Sequence, residues 1–244
     1  METAQHLAAL DTAGRSLADA AERAGTDAGV PTCPDWRVRD LLRHTGAVHV
    51  WAASFVREGH TGPLPLGDAP GLDGAELVAW YRDSHHGLVK TLADASPDVV
   101  CWTFHPAPNP SPLAFWTRRQ AHETTVHRFD AQAALGVVPD PVTTEFAVDG
   151  IDELLRGFHA RPRSRVRTDE PRVLRVRASD TDAVWSVRLS DGPPVTMPDA
   201  DGPADTELSG PAEELYFALW NRLPAPRVTG DPALATLWQE RSAI

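Results

Sequence analysis

The chain has 244 residues, 42% of them hydrophobic, with a net charge of -11 and an isoelectric point near 5.3, which suits one large domain or two small ones, each with its own core. So acidic a chain is a poor match for a duplex nucleic-acid binder, which needs a cationic surface to release counterions, and no apolar run approaches membrane-spanning length. Cys33 and Cys101 are too few for a disulfide framework and read as reduced and structural, while the opening "METAQHLAAL" has Glu2 where a signal peptide carries basic residues, so the expected compartment is the cytoplasm.

Residues 3 to 24 carry Leu7, Leu10 and Leu17 among alanines and charges, a helix weakened by Gly14 and ended near Gly25. After the turn "GVPTCPDW", Asp35 is the expected cap of a helix reaching about Glu58, with Val38, Leu41, Val48, Ala52 and Phe55 on one stripe. Asp73 and Glu76 resemble a capping box before a third helix over about 73 to 95. The prolines of "SPDVVCWTFHPAPNPSP" predict a long loop. Ser111 and Pro112 then open a fourth helix that runs to Leu135, before Gly136. Four helices in succession suggest an antiparallel bundle.

The second part has a different period. "TTEFAVDGIDELLRGF" reads as a helix and "ARPRSRVRTDEP" as a linker. "RVLRVRASDTDAVWSVRL" alternates at period two: Leu174, Val176, Trp185, Val187 and Leu189 lie on one face and Arg175, Arg177, Ser186 and Arg188 on the other, with "SDTD" as the turn of a hairpin. A short strand in "TELSG", a helix from about Pro211 to Arg222 and a last helix in "DPALATLWQ" complete the chain. The expected fold class is α+β, with a helical bundle over 1–140 and a smaller α+β domain over 141–244.

The chemistry-bearing stretch is "RRQAHETTVHRFDAQ", residues 118 to 132. His122 and His127 are five residues apart and diverge by about 140° around a helix, whereas Glu123 and His127, four apart, lie one above the other. The candidate ligand pair is therefore Glu123 with His127, and a catalytic zinc site needs a third ligand from elsewhere. On the second helix His44 and His49, again five apart, both border the apolar stripe. The residues alone leave a plainer reading open: His44 as a half-buried histidine with an ordinary partner, and Glu123 and His127 as a solvated helix face with Glu123 paired to Arg119.

The stretches "VPTCPDWRVRDLLRHTGAVHVWA" and "RRQAHETTVHRFDAQAALG", with "AVDGIDELL" and "ADTELSGPAEELYFALWNR" further on, resemble the mycothiol-dependent maleylpyruvate isomerase family over nearly the whole chain. The resemblance implies a DinB-like four-helix bundle followed by the family's C-terminal domain. It also implies a divalent metal, usually zinc, held by His44, Glu123 and His127, with His49 and His122 as core or supporting residues and Asp130 orienting the site. Arg222 is the implied residue for gripping an anionic substrate, although Asn221 stands where the family usually has Gly. Mycothiol is the implied cosubstrate: a thiol entering the metal's open position is deprotonated at neutral pH and attacks a small electrophile, as an S-transferase or a cis-trans isomerase. One lysine against 22 arginines fits a GC-rich genome, consistent with the actinobacteria that use this thiol. The expected state is a monomer or weak homodimer, without nucleic-acid or membrane partners. The rival readings are a zinc-dependent hydrolase, which would lack its base because the glutamate is spent as a ligand, an iron facial triad, and a non-catalytic, metal-stabilised binding module.

Overall fold

The computed structural model describes residues 1–104, 111–197 and 202–242. The chain forms two compact units, which divide after Asp140. The first holds α1 (Thr3–Ala24), α2 (Val38–Glu58), α3 (Gly74–Asp94) and α4 (Pro112–Leu135), a four-helix bundle. Its core joins Leu17, Leu41, Leu42, Leu77, Tyr81 and Ala131. A second, aromatic cluster stacks Phe55 of α2 on Trp116 of α4 at 4.9 Å, with Trp51 edge-on to both and Trp102 tilted against Phe55.

Local chemistry sets the helix ends. Ser111 accepts from the Ala114 amide ahead of Pro112, and Gly136 closes α4 in the left-handed region at φ +76°, as glycine does at helix ends. Two expectations need correction. Asp35 does not cap α2, which begins at Val38, two residues later than that cap implies and at the first residue of its apolar stripe; the Asp40 carboxylate accepts the Arg37 amide instead. Asp73 does cap α3, but through the adjacent Gly74 amide. The predicted loop after α3 is partly described: the Trp102 amide donates to the His60 carbonyl and the Trp116 indole to the Trp102 carbonyl, while residues 105–110 lie outside the described residues.

Gly14 is no defect in α1. A Cβ there would sit 2.2 Å from the imidazole of His85, a buried α3 residue whose Nε2 meets the Leu10 carbonyl at 3.2 Å. The two helices approach this closely because that position has no side chain.

The second unit contains α5 (Thr144–Asp152), which passes into one π-helical turn (Glu153–Phe158), then β1 (Arg172–Ala178), β2 (Val184–Leu189), β3 (Val195–Met197), β4 (Thr206–Gly210), α6 (Ala212–Leu219), β5 (Arg227–Gly230) and α7 (Pro232–Arg241). The hairpin pairs in the register set by its alternation, Leu174 opposite Val187 and Val176 opposite Trp185, and these four residues are buried. It is the centre of a five-stranded sheet ordered β3-β2-β1-β4-β5, with β1 and β4 parallel and the other pairs antiparallel. Short β3 and β5 carry too few residues to show a period, so the sequence reading missed them. The supposed linker is packed: Val166 is fully buried, and the Arg167 guanidinium donates to the carbonyls of Pro162 and Ser164. Helix α6 ends at Leu219, three residues earlier than expected, because Asn221 turns into the left-handed region at φ 61°.

Replacing Gly14 by Ala tests the close approach of α1 and α3. In an exposed helix the change favours the helix by about 1 kcal/mol; here it should lower the melting temperature. In a His85→Ala background the sign should reverse, which thermal denaturation of the four proteins in the cycle measures.

Candidate metal centre

Helix α4 is buried around most of its circumference, with Arg119, Gln120, His122, Thr124, Thr125, His127, Asp130 and Gln132 all buried. A helix so polar in the interior needs partners on every side. On the face toward α2, Glu123 and His127 stand one turn apart, and His44 reaches them from α2. His44 Nε2 and His127 Nε2 each lie 3.3 Å from the same oxygen, Oε1 of Glu123. One donor atom from each of the three residues falls within a 4.8 Å cluster. Tetrahedral zinc bonds of about 2.0–2.1 Å set donor atoms about 3.3–3.4 Å apart, so the two measured spacings match edges of that polyhedron. The donor set, two imidazoles and a carboxylate, is that of a three-ligand site with one open position.

The remaining histidines separate as helical phase requires. His49 is fully buried, its Nε2 2.9 Å from the Thr124 hydroxyl. Burial and the charges of neighbouring histidines hold its pKa well below the usual range, so it is neutral. His122 is also fully buried and meets the His6 ring edge-on at 5.8 Å.

Glu123 is the electrostatic centre. Its side chain is 17% exposed; Oε2 faces the Arg119 guanidinium at 3.1 Å, leaving Oε1 to the two imidazoles. Burial pushes its pKa up, but hydrogen bonds with His127 and His44 and the charges of His127 and Arg119 outweigh it and hold the carboxyl well below its usual range. At His127 burial pulls the pKa down, yet the carboxylates of Asp130 and Glu123 prevail and raise it to about 8.

Asp130 is fully buried three residues after His127. Its Oδ1 accepts the Thr32 hydroxyl at 2.6 Å, and its Oδ2 lies 2.9 Å from His127 Nδ1 and 3.8 Å from the Cys33 thiol. An ionised carboxylate only accepts, so His127 Nδ1 carries a hydrogen and Nε2 faces Glu123. Trp36, from the same turn as Thr32 and Cys33, lies 5.1 Å from the His44 ring and stacks on His127 at 6.0 Å. The sequence reading missed Thr32 and Trp36 and took Cys33 as merely structural. The signal was adjacency to α2 in the chain, but an irregular turn has no period from which a facing direction can be read.

Arg222 lies in the second unit, after α6. Its amide donates to the Phe217 carbonyl at 2.8 Å and its Nη1 to the Trp220 carbonyl at 2.7 Å. Asn221 fits the left-handed turn that glycine would also fit, and its amide pins the last helix through the Gln239 carbonyl and the Ser242 hydroxyl.

Among known proteins, a family model described as the mycothiol maleylpyruvate isomerase N-terminal domain matches residues 7–132, and one described as the MDMPI C-terminal domain matches residues 145–237. Two solved structures resemble the chain. One, titled as the mycothiol-dependent maleylpyruvate isomerase, is 13% identical with a TM-score of 0.65, over 94% of this chain and 92% of its own. The other, titled as a histidine-to-alanine mutant of that enzyme, is 12% identical with a TM-score of 0.62, over 91% and 90%. At such identities the likeness concerns the fold. No curated protein matches the chain.

The raised pKa of His127, about 8 without metal, makes two pH trends run in opposite directions. Its ion pairs stabilise the metal-free fold fully below its unfolded value near 6.5, and this contribution is lost as pH rises through about 8, a loss of at most about 2 kcal/mol. A divalent ion must displace the same proton, so zinc affinity should rise over that interval with about one proton released per ion. Thermal melts of the apoprotein and calorimetric zinc titrations in buffers of different ionisation enthalpy measure the two.

Proposed function

Because the chain belongs to the mycothiol maleylpyruvate isomerase family, we propose that it is an enzyme using a divalent metal, zinc, at His44, Glu123 and His127 with mycothiol as its thiol cosubstrate, acting on a small electrophile. The observation that carries this reading is the pair of 3.3 Å spacings around Glu123 Oε1. A divalent ion bound there lowers the pKa of a thiol entering its open position, supplying a nucleophile at neutral pH.

The protein groups prepare that position. Glu123 and Asp130 contribute two negative charges and Arg119 one positive. With both histidines neutral, a dication held there would leave a surplus of one positive charge, and these groups would then favour the anionic form of an incoming thiol. Arg119 engages Glu123 Oε2 and leaves Oε1 to the ligand cluster, and Asp130, at His127 Nδ1, keeps Nε2 turned toward that oxygen. No side chain need act as base toward the thiol, which suits a glutamate spent as a ligand. If the thiol adds to an activated alkene, the former double bond, now single, rotates and the thiolate leaves as the double bond re-forms, the result is cis-trans isomerisation; if the sulfur stays, it is S-transfer. The hydrolase reading needs a base positioned toward water, a role Glu123 does not fill while both its oxygens are engaged.

Arg222 is proposed to bind the carboxylate of an anionic substrate. Arg222→Ala should then raise KM while leaving the melting temperature nearly unchanged; a lower melting temperature with unchanged KM would reduce it to a residue that closes the turn after α6.

The cosubstrate is tested with cobalt in place of zinc. Mycothiol should produce a sulfur-to-cobalt charge-transfer band, and glutathione much less of it, because mycothiol's hydroxyls find partners that a tripeptide leaves unpaired. His44→Ala, Glu123→Gln and His127→Ala should each abolish the band, whereas His122→Ala should keep it. A cobalt protein that takes up metal but answers to no thiol would favour the hydrolase reading.

A further inference from the structure

The turn between α1 and α2 is folded tightly on itself. The Cys33 amide donates to the Val30 carbonyl, the Trp36 amide to the Cys33 carbonyl and the Val30 amide to the Trp36 carbonyl, while Gly29 and Arg37 form a β-bridge across its base. Three of its side chains turn toward the candidate centre. Thr32 and Cys33 approach the two oxygens of Asp130, and Trp36 lies against both imidazoles.

The His127 ring is held by two carboxylates of its own helix, Glu123 at Nε2 and Asp130 at Nδ1. A half-turn about χ2 would put Cδ2 and Cε1 where Nδ1 and Nε2 stand, and an acceptor fixed at Nδ1 opposes it. Asp130 is that acceptor. Its own position is set in turn by the half-buried Thr32, whose hydroxyl donates to the fully buried carboxylate at 2.6 Å, a short charge-assisted bond. The Trp36 ring, within 21° of parallel to the His127 ring, restricts the same rotation from the face.

We infer that the turn Val30–Trp36 is a positioning element of the metal centre, acting through Thr32 on Asp130 and through Asp130 and Trp36 on His127. The inference rests on the metal reading given above. It carries two consequences. Ion affinity depends on Thr32 and Asp130, neither of which touches the ion. By reciprocity, ion binding stabilises the turn.

Zinc affinity of the full chain, measured by competition with a chromophoric chelator, separates the possibilities. Partners that orient a metal-binding histidine typically contribute 10–100-fold in affinity. Thr32→Val, which keeps the shape and removes the hydroxyl, should weaken zinc binding by about tenfold, Asp130→Asn by about 10–100-fold, and Thr32→Ser should restore wild-type affinity. In the unsubstituted protein, zinc should slow hydrogen exchange at the Val30, Cys33 and Trp36 amides, a readout that needs no variant to fold. Zinc affinity unchanged in both Thr32→Val and Asp130→Asn, or exchange at those three amides indifferent to zinc, would overturn the positioning role while leaving the metal centre intact. A wild-type protein that binds no zinc would overturn both.

Discussion

A carboxylate placed inside a helical bundle must be neutralised where it stands, and this constraint organises the first unit. Transferring an ion from water to the interior costs several kcal/mol unless partners surround it. Glu123 receives them from its own helix, with Arg119 a turn before and His127 a turn after, and from α2 through His44. The same requirement fixes how α2 and α4 run past each other: His44 opposite Glu123 and His127, His49 opposite Thr124, and Phe55 opposite Trp116 are successive rungs of one antiparallel register. A shift by one turn would part His44 from Glu123 and the buried His49 from Thr124, while Glu123 and His127 would keep only the partners of their own helix. The apolar contacts on either side stabilise the pair of helices; the polar rungs select its alignment.

Helix α4 carries apolar side chains between and beyond its polar ones, Leu113, Phe115, Trp116, Val126 and Phe129 among them. Its Ala131 joins the aliphatic cluster of α1, α2 and α3, and its Trp116 the aromatic stack with Trp51 and Phe55. The polar residues of α4 also tie it outward. Gln132 and Arg128 hold Asp140 and its carbonyl just beyond the helix, and Asp130 holds the turn before α2. The geometry of the candidate centre and the alignment of the helices therefore draw on the same bonds.

The acidic composition has a similarly local meaning. Asp73 and Asp231 cap helices, Asp40 accepts at the start of α2, and Asp180 in the hairpin turn accepts the Ala212 amide at the start of α6, where Pro211 offers no cap. Asp205 takes the Val173 amide at the edge of β1, and Arg172 joins Asp205 to Asp231. Many of the carboxylates thus saturate backbone donors that strand and helix ends leave open.

The sequence by itself determined whatever depends on period and on local ends. Leucines and alanines spaced by helical turns gave the four bundle helices to within a few residues, strict alternation placed Leu174, Val176, Trp185 and Val187 on the buried face, and the four-residue spacing selected Glu123 with His127 over His122. It did not determine whatever depends on segments distant in the chain or without a period. That His44 rather than His49 meets Glu123 was open on the residues alone, since both border the same stripe; the resemblance named it, and the packing angle of α2 on α4 brings it there. Strands β3 and β5, each too short for a pattern, exist because a sheet edge offers them hydrogen bonds. The roles of Thr32 and Trp36 were invisible for the same reason, because an irregular turn has no face until it has something to pack against, and only the folded bundle supplies Asp130 and the imidazoles for it to meet.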